Sequence, residues 1–340
     1  MAEHNFDIVI LGGGSGGYAA ALRSAQLGKS VALIEKDKLG GTCLHRGCIP
    51  TKALLHAAEV ADTVKEAAHY GVSAEFNAID MNVVNTYRDG IVDRLFKGLT
   101  GLVNSKSITV VNGEGRMVGP KTIQVGEDRY TGTNVILASG SYSRSLPGLE
   151  IGGRVITSEQ ALQMNFVPNK VIVLGGGGII IEFASIWRSF GTEVTIVEGL
   201  PSLVPNEDAS ISKALERAFR KRGIEFKTGV RFSSVQQHEN GVIVSLESGE
   251  TLEAELMLVA VGRGPNTAGL GYEEQGVSMD RGYVLTNERL QTSVPGVYAA
   301  GDIVPGLQLA HRGFQQGIFI AEDIAGLNPA VIDENGIPKV

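Results

Sequence analysis

The sequence contains one pattern twice, over residues 6–35 and again, 163 positions later, over residues 169–198. Each copy has an apolar β-rich run, a glycine cluster, a helical stretch, a glycine turn, and a second apolar run that ends in a glutamate, Glu35 or Glu198. The two copies align without a gap. A strand–helix–strand unit of this kind needs two parallel strands joined by a right-handed crossover. The repeat therefore predicts an α/β fold with two separate parallel sheets.

The first glycine cluster fits the dinucleotide fingerprint G-x-G-x-x-G at Gly12, Gly14 and Gly17. In that fingerprint the first glycine permits a tight turn, the second lets the backbone approach a pyrophosphate, and the third lets the helix and strand pack closely. The phosphates lie at the helix N-terminus, and Glu35 stands near the distance at which an acid meets the ribose. These residues predict a dinucleotide site in a Rossmann-like domain. The alternative is a glycine-rich turn without function, with Glu35 an ordinary charge at a strand end.

The second glycine cluster departs from the fingerprint. Gly175 and Gly177 hold the first two positions, but Ile180 stands at the third. A branched side chain there either holds the helix away from the strand or fills the space through which the dinucleotide passes, so a glycine at this position is expected to strengthen NAD binding. Glu198 keeps the acidic position and favours a free 2′-hydroxyl, which predicts NAD rather than NADP. Two interpretations stand: the domain binds NAD, or it keeps the dinucleotide-binding fold but no longer binds a dinucleotide.

The composition is that of a soluble globular chain long enough for two or three domains. Its 340 residues carry a formal net charge of −7 without a basic stripe, which argues against a nucleic-acid partner. No apolar run approaches the length of a membrane span, and the N-terminus leads directly into a strand rather than a signal peptide. We therefore expect no membrane association and a cytoplasmic location.

The rest of the chain alternates between strand and helix patterns. Continuous apolar runs predict strands over residues 135–138, 257–261 and 297–300, and an alternating pattern predicts a meander over residues 228–252. Patterns with few helix breakers predict helices over residues 52–68, 209–222 and 309–325. This alternation agrees with the α/β class.

The chain has only two cysteines, Cys43 and Cys48. Both are predicted to lie near the start of one helix, where the free N–H groups, Arg46 and Lys52 stabilise a thiolate. A disulfide between them is within reach if the first helical turn is distorted. The alternatives are two buried thiols, or half of a zinc site, although zinc needs about four ligands and no second cysteine pair is present. No metal site is predicted.

The segment GGTCLHRGCIPTKALL, residues 40–55, resembles the redox-disulfide segment of the flavoprotein pyridine nucleotide–disulfide oxidoreductases, most closely that of their dihydrolipoyl dehydrogenase branch. Residues 299–302 are similar to the family's second FAD motif, whose aspartate, here Asp302, holds the ribityl chain. The resemblance extends over the whole chain. It implies a FAD-binding domain in two parts, residues 1–145 and 269–340, around an inserted NAD-type domain, residues 146–268.

The same resemblance implies the residues that hold two cofactors. Tightly bound FAD is expected at residues from both parts of its domain: Gly12, Gly14, Gly17, Glu35, Lys36, Gly41, Thr42, Lys52, Gly115, Ser139, Gly140, Asp302, Gln308, Leu309, Ala310 and His311. NAD is expected at Gly175, Gly177, Glu198 and Gly262, weakened by Ile180.

The family chemistry implies a role for each catalytic candidate. Cys43 is expected to exchange with the substrate, a lipoyl dithiol or another small disulfide, and Cys48 to lie against the flavin. Lys52 and Glu182 match the family's ion pair beside the flavin. Glutathione and mercuric reductases are the rival enzymes, and a flavin-binding module without turnover is the rival class.

The family also carries a C-terminal interface domain that supplies a His–Glu pair to the partner's active site, whereas this sequence stops at Val340. From this we expect a truncated chain, a monomer, and weak turnover.

Overall fold

The computed structural model describes residues 2–339. They form two compact units, the first made of residues 2–45, 93–142 and 264–339, and the second of residues 46–92 and 143–263. The helices are, in chain order, α1 (Ser15–Gln26), α2 (Gly41–Arg46), α3 (Cys48–Glu66), α4 (Met81–Ser105), α5 (Ser158–Ala161), α6 (Gly178–Phe190), α7 (Ala209–Lys221) and α8 (Ala310–Ile324).

The strands are, in chain order, β1 (Glu3–Leu11), β2 (Val31–Glu35), β3 (Thr109–Asn112), β4 (Gly115–Gly119), β5 (Thr122–Val125), β6 (Asp128–Leu137), β7 (Ser141–Ser143), β8 (Val155–Thr157), β9 (Lys170–Leu174), β10 (Glu193–Glu198), β11 (Glu225–Thr228), β12 (Phe232–His238), β13 (Gly241–Leu246), β14 (Thr251–Ala254), β15 (Leu256–Val259), β16 (Arg263–Pro265), β17 (Met279–Asp280), β18 (Tyr283–Val284) and β19 (Val297–Ala299).

The main sheet of the first unit has the order β3-β2-β1-β6-β5-β4, with β19 beside β6. The strands β3, β2, β1, β6 and β19 run parallel, and β5 and β4 extend the sheet antiparallel. In the register, Leu11 lies beside Leu137, and Leu137 lies beside Ala299. The loops after β1, β6 and β19 therefore leave the sheet at the same edge, which is where α/β sheets bind ligands.

The main sheet of the second unit is parallel throughout, in the order β11-β10-β9-β15-β8, and β12, β13 and β14 form a separate antiparallel meander. Leu174 pairs with Val197 on one side and with Val259 on the other. The second glycine cluster, Glu198 and the loop after β15 thus gather at one edge of this sheet.

The structure confirms the α/β fold with two Rossmann-like sheets, one built on each copy of the repeat. Residues 46–92 group by contacts with the second compact unit, whereas the resemblance assigned them to the first part of the FAD-type domain, and those domain bounds stay a prediction. The reason for this grouping is that Leu54 and Ala58 of α3 are buried in the same core as Phe183 and Trp187 of α6. The long helix α4 was not predicted, because three glycines interrupt its pattern.

Candidate functional site

The first glycine loop has no room for side chains. Gly12 has a φ of +109°, and a Cβ on it would lie 2.2 Å from the carbonyl oxygen of Ala138. A Cβ on Gly17 would lie 1.8 Å from the carbonyl oxygen of Gly12. Strand β1, the loop and α1 are therefore held at a spacing that only glycine permits at these two positions.

The start of α1 is open to an anion. Gly14 is the N-cap, no side chain caps it, and the first turn holds no acidic residue. The free N–H groups and the dipole of such a helix end favour a phosphate. Gly41 approaches Gly14 so closely that a Cβ on Gly41 would lie 2.7 Å from the Gly14 Cα. The two backbones are in contact, and the backbone surface that they form at the start of α1 is called the cradle here. Thr42 follows Gly41 in α2.

Glu35 closes this loop on its other side. One of its carboxylate oxygens accepts a hydrogen bond from the Gly13 N–H (2.7 Å) and the other accepts from the Asp37 N–H (2.8 Å). Lys36 points its Nζ to the Glu114 carboxylate at 3.4 Å. Gly115 is required by packing, because a Cβ there would meet the Leu11 side chain at 2.6 Å.

The loops after β6 and β19 bring Asp302 beside Ser139–Ser141. The Ser141 hydroxyl donates to the Asp302 carboxylate. The buried Tyr272 hydroxyl donates to the Ser139 Oγ at 2.9 Å, and burial raises the pKa of Tyr272. Gly140, between these serines, has a φ of +76°. Sequence reasoning missed Ser141, although it stands only one residue beyond the predicted Ser139 and Gly140.

Helix α8 supplies a second uncapped N-terminus. Leu309 is its N-cap without a side-chain cap, and Ala310 is its first residue. The Gln308 amide donates to the backbone oxygen of Asp302 at 3.4 Å, and the His311 Nε2 lies 2.7 Å from the backbone oxygen of Pro338. With the exception of Lys52, every predicted FAD residue therefore belongs to the first unit.

These residues fit FAD. The uncapped start of α1, with the Gly41 backbone packed beside it, suits a pyrophosphate. Glu35 suits a ribose, and Asp302 suits a polar chain that carries hydroxyls. Each of these three protein features thus matches a different part of FAD.

The second glycine loop repeats this geometry. Gly175 has a φ of +116°, and a Cβ on it would lie 2.8 Å from the carbonyl oxygen of Ala260. The buried Glu198 accepts from the Leu200 N–H (2.7 Å), and a Cβ on Gly176 would lie 2.7 Å from its other carboxylate oxygen. A Cβ on Gly177 or on Gly262 would have nothing within 4 Å. The space that a pyrophosphate needs at the start of α6 is therefore open.

Ile180 does not occupy that space. Its side chain is 0% exposed and packs in the core of the second unit with Val171, Val173 and Phe183. A Cβ on Gly175 would stand 3.5 Å from the Ile180 Cγ1, an ordinary contact. This burial agrees with the first of the two expected effects, in which the side chain packs between the helix and strand β9.

The two cysteines lie on different helices. Cys43 belongs to α2, and Cys48 is the first residue of α3, with the break at Gly47. The prediction that both cysteines lie near the start of one helix is therefore wrong. The Gly47 carbonyl accepts from both the N–H (3.1 Å) and the hydroxyl (2.6 Å) of Thr51, which fixes the start of α3. The disulfide between the two cysteines stays a prediction.

Lys52 and Glu182 meet as the resemblance implied. The Lys52 Nζ, one turn into α3, donates to the Glu182 Oε1 of α6 at 2.6 Å. The side chains are 54% and 25% exposed. The pair fixes the position of one cation close in the chain to Cys48.

Tyr18, directly after Gly17, borders the glycine loop and was not among the predicted residues. Burial, with a smaller contribution from the charge of Cys43, raises the pKa of Tyr18 to about 12. Its ring packs edge-on against Phe314 of α8, with the centroids 5.1 Å apart. The sequence feature that could have identified Tyr18 is its position directly after Gly17, in the first turn of α1.

Among residues 2–339, no three His, Cys, Asp or Glu side chains come together as a metal site would require. Over the same range, the helices are too short or too polar for any of them to cross a membrane.

Comparison with known proteins places these features in one family. The family model described as pyridine nucleotide-disulphide oxidoreductase matches residues 6–317. A dihydrolipoyl dehydrogenase of Bacillus subtilis (strain 168) is 43% identical over 353 aligned positions, which cover 98% of this chain and 74% of that protein. A dihydrolipoyl dehydrogenase of Thermus scotoductus is 38% identical and covers 95% of this chain and 71% of that protein.

Solved structures agree with the family match. The structure of LpdA from Mycobacterium tuberculosis superposes with a TM-score of 0.89 at 28% identity, covering 98% of this chain and 74% of that one. The flavoprotein disulfide reductase RclA from Escherichia coli, solved as a Cu(II) complex, gives a TM-score of 0.85 at 27% identity, with coverages of 94% and 71%. The matched range and the identity of the relatives show that the chain belongs to the pyridine nucleotide–disulphide oxidoreductase family.

Proposed function

We propose that the chain is a FAD-dependent dihydrolipoyl dehydrogenase, which oxidises a dihydrolipoyl dithiol to its disulfide and reduces NAD⁺ to NADH. FAD and a pyridine nucleotide are the cofactors of the family. The observation that carries the proposal is the placement of Cys43 and Cys48 on consecutive helices, with α2 starting at the glycine cradle. The relatives named dihydrolipoyl dehydrogenase support the choice of substrate.

The chain's contribution to FAD binding comes from the first unit. The N–H groups at the start of α1 and the Gly14–Gly41 cradle bind the pyrophosphate, Glu35 binds a ribose, and Asp302 binds the ribityl hydroxyls. When bound, FAD supplies the two-electron redox chemistry that connects the cysteine pair with NAD⁺.

The cysteine pair performs thiol–disulfide exchange with the substrate. A substrate thiolate attacks the Sγ of Cys43 in the disulfide, the bond to Cys48 breaks, and Cys48 leaves as a thiolate. The second substrate thiolate then attacks the substrate sulfur of the mixed disulfide and releases Cys43. The substrate loses two electrons and two thiol protons, the cysteine pair gains the electrons, and the protons pass to the cysteine thiolates or to solvent.

The structure favours Cys48 as the thiolate that is released first. As the first residue of α3, Cys48 lies where the helix dipole and the free N–H groups stabilise a negative charge. Lys52, held by Glu182 at 2.6 Å, adds a fixed positive charge one turn later. We assign Lys52 to charge stabilisation, and Glu182 to positioning Lys52.

The second unit binds NAD. Its open glycine loop receives the pyrophosphate, and the buried Glu198 carboxylate accepts from a ribose hydroxyl and repels a 2′-phosphate. This predicts NAD⁺ in preference to NADP⁺, and it separates the proposal from an NADPH-dependent glutathione reductase.

The test is formation of NADH by the protein reconstituted with FAD, with dihydrolipoamide as the donor. Cys43→Ser and Cys48→Ser are each expected to abolish it while FAD remains bound, and NADP⁺ is expected to be a poor acceptor. Faster reduction of glutathione disulfide by NADPH would contradict the proposal. Uptake of FAD without NADH formation would identify the chain as a flavin-binding module without turnover.

A monomeric state, a cytoplasmic location and independence from nucleic acid stay predictions. Sedimentation velocity at low micromolar concentration tests the first of them.

A further inference from the structure

Arg312 is a buried cation in the first turn of α8. Its side chain is 2% exposed, and its Nε donates to both carboxylate oxygens of Glu334, at 2.7 and 3.0 Å. A buried guanidinium needs a paired anion, because an unpaired charge is expensive to remove from water. Glu334, from the segment that follows α8, provides this anion and is itself 46% exposed.

The same guanidinium holds the loop that precedes α8. Its Nη2 donates to the Pro305 carbonyl at 2.7 Å, and its Nη1 donates to the Leu307 carbonyl at 3.3 Å. A Cβ on the intervening Gly306 would lie 2.6 Å from Nη2, so the loop backbone rests directly on the guanidinium. One side chain thus fixes three consecutive residues.

This loop connects two parts of the FAD site. It begins after Asp302 and ends at Gln308, whose amide donates back to the Asp302 carbonyl at 3.4 Å. The next residue, Leu309, is the N-cap of α8. The conformation of residues 305–307 therefore determines where Gln308 and the free N–H groups of α8 stand relative to Asp302.

We propose that Arg312 and Glu334 form a positioning clamp for FAD, which orders the loop of residues 305–308 before the cofactor binds. The inference rests on the proposed function, because FAD is the ligand of this site. Neither residue is assigned a contact with the cofactor. The clamp acts by raising the fraction of molecules in which the loop is ready to bind, and the apparent dissociation constant varies inversely with that fraction.

The other end of α8 offers a matched control. Arg289 donates to the Asp323 carboxylate, with Nε at 3.0 Å, and its Nη1 donates to the Pro329 carbonyl at 2.7 Å. This pair also joins a largely buried arginine, a carboxylate and a backbone carbonyl, but it holds the segment after the helix and not the loop before it. Its loss lowers stability without disturbing Asp302 or Gln308.

The experiment compares Glu334→Gln, Arg312→Lys and Asp323→Asn with the parent chain. Dissociation constants come from titration of the apoproteins with FAD, followed by flavin fluorescence, and amide hydrogen exchange in the apoproteins reports on residues 305–308. For Glu334→Gln and Arg312→Lys we expect about tenfold weaker FAD binding, about 1.4 kcal/mol, and faster exchange in the loop. Asp323→Asn is expected to stay within about twofold of the parent in FAD affinity, as a distant site should.

Equal FAD affinity and equal loop exchange in the parent and Glu334→Gln would overturn the clamp. An equal loss of affinity in Asp323→Asn would also overturn it, because a general loss of stability would then explain the result. Failure of the parent chain to bind FAD would refute the proposed function instead. In that case the hydrogen exchange of the apoproteins still decides whether the clamp orders the loop.

Discussion

Replacement of Ile180 by glycine would restore the third glycine of the second fingerprint, yet the structure predicts that it destabilises the chain. Ile180 is fully buried among Val171, Val173 and Phe183. The space above Gly177 is already open. The substitution therefore removes core packing and creates no new room for NAD.

The magnitude follows from the burial of the side chain. Truncation of a buried isoleucine to alanine costs about 2–5 kcal/mol, and glycine in a helix costs up to about 1 kcal/mol more than alanine. Ile180→Gly should thus lower the free energy of unfolding by about 3–6 kcal/mol, out of a total that is typically about 5–15 kcal/mol. Ile180→Val, which keeps most of the packing, should cost about 0.5–1.5 kcal/mol.

Gly17, which aligns with Ile180, allows the reverse substitution, from glycine to a larger residue, in the first unit. A Cβ on Gly17 would lie 1.8 Å from the Gly12 carbonyl oxygen. Gly17→Ala must therefore shift α1 or the loop, which costs about 1–3 kcal/mol as overpacking does and disturbs the FAD cradle.

Urea unfolding, NADH titration and FAD titration of the three variants test this reasoning. We expect Ile180→Gly to lose stability without gaining affinity for NADH, and Gly17→Ala to lose affinity for FAD. If Ile180→Gly is as stable as the parent and binds NADH about tenfold more tightly, then Ile180 obstructs the nucleotide and its assignment to the core packing is refuted.

Three further changes have expected outcomes. Gly41→Ala should weaken FAD binding about tenfold or more, because its Cβ would meet the Gly14 Cα at 2.7 Å. The control is Gly28→Ala, which is also at positive φ but has open space around it. It should leave the FAD affinity unchanged in the same titration. Lys52→Met should slow dithiol oxidation about tenfold. This is less than the ~10²–10³ typical of a buried charge-stabilising donor, because Lys52 is half exposed. Lys65→Met on the same helix is the control, and equal rates in both variants would rule out the assigned role of Lys52. Stability should fall as the pH rises from 10 towards 12, because the Tyr18 pKa is raised from 10.0 to about 12 in the folded chain and the unfolded chain loses that proton first. The raised pKa values of Tyr272 and Tyr298 act in the same direction, so Tyr18→Phe should reduce this slope in urea midpoints without removing it. An unchanged slope would contradict the assignment to Tyr18.

Several features of the protein follow from local sequence. The glycine clusters, the apolar runs that precede them and the acids that follow them predicted both parallel sheets, because a strand–helix–strand unit is specified by residues close together in the chain. The positions of Gly12, Gly17 and Glu35 were predictable for the same reason. The spacing of the two cysteines left redox chemistry, buried thiols and half of a zinc site open, and the resemblance of residues 40–55 to a redox-disulfide segment favoured the first.

Other features depend on contacts between distant segments. The core neighbours of Ile180 come from β9 and α6 packing together. The fingerprint alone therefore could not decide whether its side chain packs against the strand or fills the dinucleotide space. The break at Gly47 places Cys43 and Cys48 on separate helices, whereas their spacing suggested one helix start. Arg312 and Glu334 are 22 positions apart with no pattern to connect them. Only the tertiary structure shows such pairs. Burial and hydrogen-bond partners depend on contacts between distant segments, and local residue type and spacing do not reveal those contacts.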